Sequence, residues 1–206
     1  MLGASGRTQL QQLARDELPG LYALAWQLAG PEAEDLVQEA LLRACKSFDQ
    51  LREPEAAGRW FRVILTNVWR DRLRKDGREP DEVSMGHDES FSLYRTLVEE
   101  DPLPYSDTLH IDFLGAFSEH DVHEVLQRLP LRYRAPLVLR YVEGFSTQEV
   151  ADLLELPHGT VLSQLHRGRQ RFERELWEYS EESGLLDDAA RRPAERARRA
   201  ATEVSS

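Results

Sequence analysis

The side chains best suited to recognition chemistry are concentrated between Thr147 and Arg171. Thr147, Gln148, Thr160, Val161, Ser163, Gln164, His166, Arg167, Arg169 and Arg171 fall within this short stretch. Most carry hydroxyl, amide, imidazole or guanidinium groups, and guanidinium forks match phosphate oxygens and guanine edges bidentately. Thr147 to Leu154 reads as a short helix, with Ser146 or Thr147 as its cap and Glu149 within capping-box reach. Pro157-His158-Gly159 breaks it, and Thr160 is expected to cap a second helix running through Arg174. Small Ala151 lets two helices approach closely, while Val150, Leu154, Leu156, Val161 and Leu165 are expected to fill the corner. This is the spacing of a helix-turn-helix, whose second helix enters the major groove with its first residues near base edges. A plain αα-corner with a solvated basic face would share the turn. The arginine cluster just downstream favours DNA.

A second patch runs from Arg59 to Lys75, with six basic residues and one acid. Asn67, Arg70, Asp71 and Arg74 share one polar helical face, and Phe61, Ile64, Leu65, Val68 and Leu73 cover the other. Arg59, Trp60, Arg62 and Lys75 complete a mixture of cations and aromatic rings. Such a mixture suits melting or single-stranded DNA, where cations track phosphates and rings stack on unpaired bases. Trp69 reads as core; Trp60, at the helix start beside a loop, fits either role. The third pattern is acidic: Asp35, Gln38, Glu39 and Leu42 lie on one face of a helix whose apolar stripe includes Leu36. A partner with basic helices could use that face, although most acidic faces are merely solvated.

The elements that must position these residues are helical. Leu10, Leu13, Leu18, Leu21, Leu24, Ala25 and Leu28 recur at helical spacing before Gly30-Pro31 interrupts them. Pro31, followed by Glu32, Glu34 and Asp35, marks a helix start. A third helix is expected from about Arg59 to Lys75. From Asp76 to Asp121 no period persists, and 13 acids face two arginines, a net charge of −11. That composition reads as a linker, although Phe91, Tyr94, Tyr105 and Phe113 give it docking points. Helical patterning resumes from Val122 to Glu178, and the 179–206 tail is charged and helix-prone. The expected fold is all-α: a helical domain over 1–75, an acidic linker over 76–121, and a helix-turn-helix domain over 122–178.

Composition narrows the function. The whole chain carries 26 basic and 37 acidic residues, so the residues outside 76–121 balance at 24 and 24. Whole-chain acidity thus conceals two basic patches. The opening stretch is polar and helix-patterned rather than a leader sequence, and no apolar run approaches the ~20 residues of a membrane span. The lone Cys45 forms no internal disulfide and suits a reducing cytosol, so a cytoplasmic protein without membrane insertion is expected. No phosphate loop, nucleophile elbow or His-Glu-x-x-His motif is present. His120 and His123 lack an accompanying set of ligands. No catalytic activity, metal or cofactor is expected.

Taken in order, these segments resemble a bacterial group IV sigma factor, the extracytoplasmic-function type. The resemblance rests on Asp35-Leu36-Val37-Gln38-Glu39, on Trp60 with Asn67 and Asp71 to Arg74, and on Leu129-Pro130. Val142-Glu143-Gly144, Glu149-Val150-Ala151, Pro157 to Val161 and Leu165-His166-Arg167-Gly168-Arg169 extend it. It implies a transcription initiation factor that directs core RNA polymerase to promoter DNA and helps melt it, with an anti-sigma factor as a further partner and a role in stress response. By the same resemblance, Asp35, Leu36, Gln38, Glu39 and Leu42 meet the polymerase. The Arg59–Lys75 helix engages the −10 element, and the helix from Thr160 reads the −35 element. Glu155 departs from the family, standing where a turn glycine is common. Leu162 and Gln164 replace the Lys and Arg usual in the recognition helix. The alternative is an autonomous helix-turn-helix regulator that binds duplex DNA without polymerase.

Overall fold

The computed structural model describes residues 4–75, Arg52 excepted, and 117–185. The expected linker core and most of the 179–206 tail lie outside the described residues. Every regular element described is helical, giving the all-α fold that the periodicity predicts. The chain forms two compact units. Among the described residues, one draws on 4–75 and 131–165, the other on 117–130 and 166–185.

In the first unit, α1 (Ala4–Ala29), α2 (Ala33–Ser47) and α3 (Ala57–Lys75) share a core. Leu21, Leu24 and Leu28 of α1 meet Leu36, Val37 and Ala40 of α2 and Phe61, Leu65 and Val68 of α3, all buried. Alanines at 33, 40 and 44 keep α2 slim enough for close packing. Each fully buried Leu or Phe contributes about 1.5–3 kcal/mol. Trp69 is core, as its position suggests, and donates from Nε1 to the Leu28 carbonyl at 3.1 Å. Leu18 departs from the expected stripe. It lies at the edge of the buried face and is 42% exposed.

The same unit continues through α5 (Leu131–Leu137), a π-helical turn over Val138–Val142, α6 (Thr147–Leu154) and the start of α7 (His158–Ser183). Ser146 caps α6, and the reciprocal bonds between Ser146 and Glu149 complete the expected capping box. The corner is filled by Val150, Ala151, Leu153, Val161 and Leu165. Leu154 and Leu156, expected there, are only half-buried, and Leu153 takes the inner position.

The second unit packs Val125 of α4 (Glu119–Arg128) with Leu176 and Trp177 of α7, flanked by Phe117, Phe172 and Tyr179. α4 begins three residues before the expected Val122, because Ser118 and Asp121 form a second capping box. Asp121 also accepts from the Tyr179 hydroxyl at 2.6 Å, a bond that holds its carboxyl below the usual range. α7 runs well past the expected Arg174. Buried Leu176, Trp177 and Ser180 give its later turns an inward face of their own.

Candidate nucleic-acid interface

The α3 cations do not project as a bare basic strip. Arg59, Arg62, Thr66, Arg70 and Arg74 follow steps of three and four residues, so they line one face of the helix. Arg62 is the most enclosed of the four arginines after Arg70, and it divides its guanidinium between Glu17, at 2.8 Å, and Glu143. Burial opposes its charge, but the two carboxylates outweigh burial and raise Arg62 above the ordinary guanidinium value. The room for this arrangement comes from two glycines. A Cβ on Gly20 would lie 2.8 Å from a terminal nitrogen of Arg62, and one on Gly58 would lie 2.9 Å from the Glu17 carboxylate.

Arg59 pairs with Glu149 and places its guanidinium 4.3 Å from the centre of the Phe145 ring. The Arg59 bond and those from Ser146 hold the Glu149 carboxyl down at about 2. Arg70 donates to the Leu153 carbonyl at 2.6 Å and to Glu155 at 2.9 Å, and Arg74 meets the other oxygen of Glu155. Asn67 is half-buried on the adjoining face, and Lys75 is exposed at the helix end. Trp60 is half-buried, its ring edge-on to Phe48 and Phe61 at 6.4 and 5.1 Å.

Asp71 and Glu39, expected to face DNA and a protein partner respectively, meet within one network. Arg43 donates to Asp71 at 2.7 Å and to Glu39 at 3.1 Å, and Arg72 donates to Glu39 at 2.9 Å and to the Asp35 carbonyl at 2.8 Å. The Arg43 bond is the main reason that the Asp71 carboxyl sits low. For Glu39, burial pushes upward, but Arg72 and Arg43 overcome it and leave the carboxyl lowered. These two acids therefore fasten α2 to α3. Leu36 is fully buried, so its side chain supports the helix from inside and cannot reach a partner. Asp35 and Gln38 are exposed, and Leu42 is 63% exposed, leaving an apolar group on the open face of α2.

The helix-turn-helix divides its expected residues in the same way. Val161 is fully buried and positions α7 without contacting anything outside. Thr160 does not cap the helix. It lies in the first turn, and its N–H reaches the Pro157 carbonyl at 2.9 Å because α7 already begins at His158. Thr160, Ser163, His166 and Arg169 are exposed, as is Leu162; Arg167 and Arg171 are half-buried. Gln164 is half-buried with its side-chain oxygen enclosed and unbonded. Thr147 is half-buried, and Gln148 is exposed and bonded to Asp152 at 3.0 Å. Sequence reasoning missed Glu17, Glu143 and Glu155 as partners of α3; all three lie far from it along the chain.

Among the described residues no three His, Cys, Asp or Glu side chains are grouped to hold a metal ion. His123 bonds the Glu119 carbonyl of its own helix. No helix among them is long and apolar enough to cross a membrane.

The sequence and the fold are similar to those of known proteins. A family model described as Sigma-70 region 2 matches residues 13–79, and one described as Sigma-70, region 4 matches residues 119–172; together they cover more than half of the chain. The ECF RNA polymerase sigma factor SigW of Bacillus subtilis is 29% identical over 161 residues, 76% of this chain and 82% of the relative. SigE of Mycolicibacterium smegmatis is 35% identical over 174 residues, 84% of this chain and 63% of that longer protein. The fold is similar to that of the sigma factor RpoE from Bartonella quintana, solved with the anti-sigma factor NepR. The TM-score is 0.52 at 24% identity, covering 81% of this chain and 95% of that one. The chain belongs to the extracytoplasmic-function sigma factors, alternative transcription initiation factors that direct RNA polymerase to promoters.

Proposed function

We propose that the two promoter elements are divided between the two basic patches: the first turns of α7 read the −35 element as duplex, and α3 with the loop before it engages the −10 element as it opens. One observation carries the first assignment. Val161 and Leu165 anchor α7 from inside, while Thr160, Ser163, His166 and Arg169 are exposed. A helix so held can enter a groove without disturbing its own core. On α3, Asn67 and the neighbouring loop hold an unstacked base, and Arg70, Arg74 and Lys75 neutralise phosphates. Residues 1–75 and 122–178 then serve as the region 2-like and region 4-like parts, with 76–121 as an acidic linker and 179–206 as a charged tail.

The exposed Leu42, with Asp35 and Gln38 beside it, is the proposed contact with core polymerase. Leu42 is the apolar anchor, and the charges set orientation more than affinity. The chain works in the cytoplasm as an initiation factor without catalytic activity or cofactor, and an anti-sigma factor restrains it; the similarity to a sigma factor solved with NepR supports that partner. The test of the −35 assignment is Arg167→Ala. A contact to base or phosphate is worth about 1–3 kcal/mol, so promoter-specific transcription should fall roughly five- to 150-fold. Unchanged transcription from a cognate promoter removes Arg167 from the interface.

A further inference from the structure

We infer that Glu155 is a latch that keeps the free chain closed, with the helix-turn-helix acids occupying the arginine face that α3 presents to promoter DNA. The inference rests on the −10 role proposed above for that face.

Glu155 ends α6 with φ 53° and ψ 42°, the left-handed conformation, and it is the non-glycine residue with positive φ among those described. Side chains other than glycine adopt this region at a cost, and glycine at a helix end avoids it. The side chain carried at this position is fully engaged: one carboxylate oxygen takes Arg70 at 2.9 Å and the other takes Arg74.

The pairing repeats along the helix. Glu149 holds Arg59, and Glu143 holds Arg62. Arg70 is fixed again by the Leu153 carbonyl at 2.6 Å. Three carboxylates from the helix-turn-helix and its approach thus span α3 from its first turn to its last, meeting cations that DNA phosphates would otherwise meet. Phosphates would compete with these carboxylates for the same guanidinium groups, so closed chain and bound DNA are alternatives. Opening exchanges carboxylates for phosphates.

The test uses the full-length chain. Cys45→Ser removes the exposed native thiol, and Gln12→Cys with Gln148→Cys, both at exposed positions on α1 and α6, accept spin labels. The distance distribution between them is recorded for Glu155 and for two variants. Glu155→Gly restores the residue that the turn prefers, so helicity by circular dichroism stays intact. Glu155→Gln keeps the side chain but removes its charge. The latch predicts a longer and broader distribution in both variants. It also predicts several-fold tighter binding of each free variant to a single-stranded oligonucleotide, with a steeper salt dependence as arginines are released. An unchanged distance distribution in Glu155→Gly at full helicity overturns the latch. Opening without any gain in oligonucleotide binding supports the latch and counts instead against the −10 role of Arg70 and Arg74.

Discussion

Glu149 performs two tasks with one carboxylate. It closes the capping box with Ser146 at the start of α6 and holds Arg59 of α3. Both depend on the charged form, and together they lower its carboxyl from 4.5 to about 2. A carboxyl depressed in the folded state stabilises it fully above the ordinary value and loses that effect as the pH falls toward 2. Wild type should therefore melt above Glu149→Gln at pH 7, with the two midpoints converging near pH 2. A gap that persists at pH 2 would contradict the assignment of the effect to ionisation. The capping box was legible in the sequence because Ser146 and Glu149 are three residues apart and their geometry is local. The Arg59–Glu149 bond was not, since 90 residues separate the partners and no spacing rule connects them. Glu155 lies between these cases. Its departure from glycine was visible, but its φ and the two arginines it holds emerge only from the fold.

At the scale of the helix, α2 faces both ways, and its two leucines separate stability from binding. Leu36 is fully buried against α1 and α3, so Leu36→Ala should cost about 2–5 kcal/mol in urea unfolding. Leu42 is 63% exposed, and Leu42→Ala should change stability by less than about 0.5 kcal/mol. Combined with Asp35→Arg, the Leu42 change should abolish co-purification with core polymerase while circular dichroism stays unchanged. Retained binding would remove α2 from the polymerase interface. Periodicity identified the buried face of α2, but it could not distinguish Glu39 from Asp35 on the acidic one. The difference arises from Arg43 and Arg72, which draw Glu39 into the joint with α3. The end of α7 escaped sequence reading for a similar reason. The helix was expected only through Arg174, whereas Val125 of α4 provides packing for Leu176 and Trp177 beyond it.

Across the whole molecule, a net charge of −11 coexists with DNA-binding surfaces because the excess acid lies in 76–121 and the remaining residues balance. The proposed −10 surface should therefore respond to local cations and not to the total. Neutralising Arg70, Arg74 and Lys75 together should weaken open-complex formation and flatten its salt dependence, although whole-chain charge becomes still more negative. An unaltered salt slope would place the phosphate contacts elsewhere. In the proposed division of roles, promoter selection by the chain occurs only as part of polymerase. The most direct test is in vitro transcription of the source genome by core enzyme with and without the chain, with transcript 5′ ends mapped. The expected result is a defined set of new start sites sharing paired upstream elements. Those starts should be lost with Asp35→Arg combined with Leu42→Ala, and the chain alone should not shift the corresponding duplexes. No new start sites, together with a specific duplex shift by the chain alone, would contradict it.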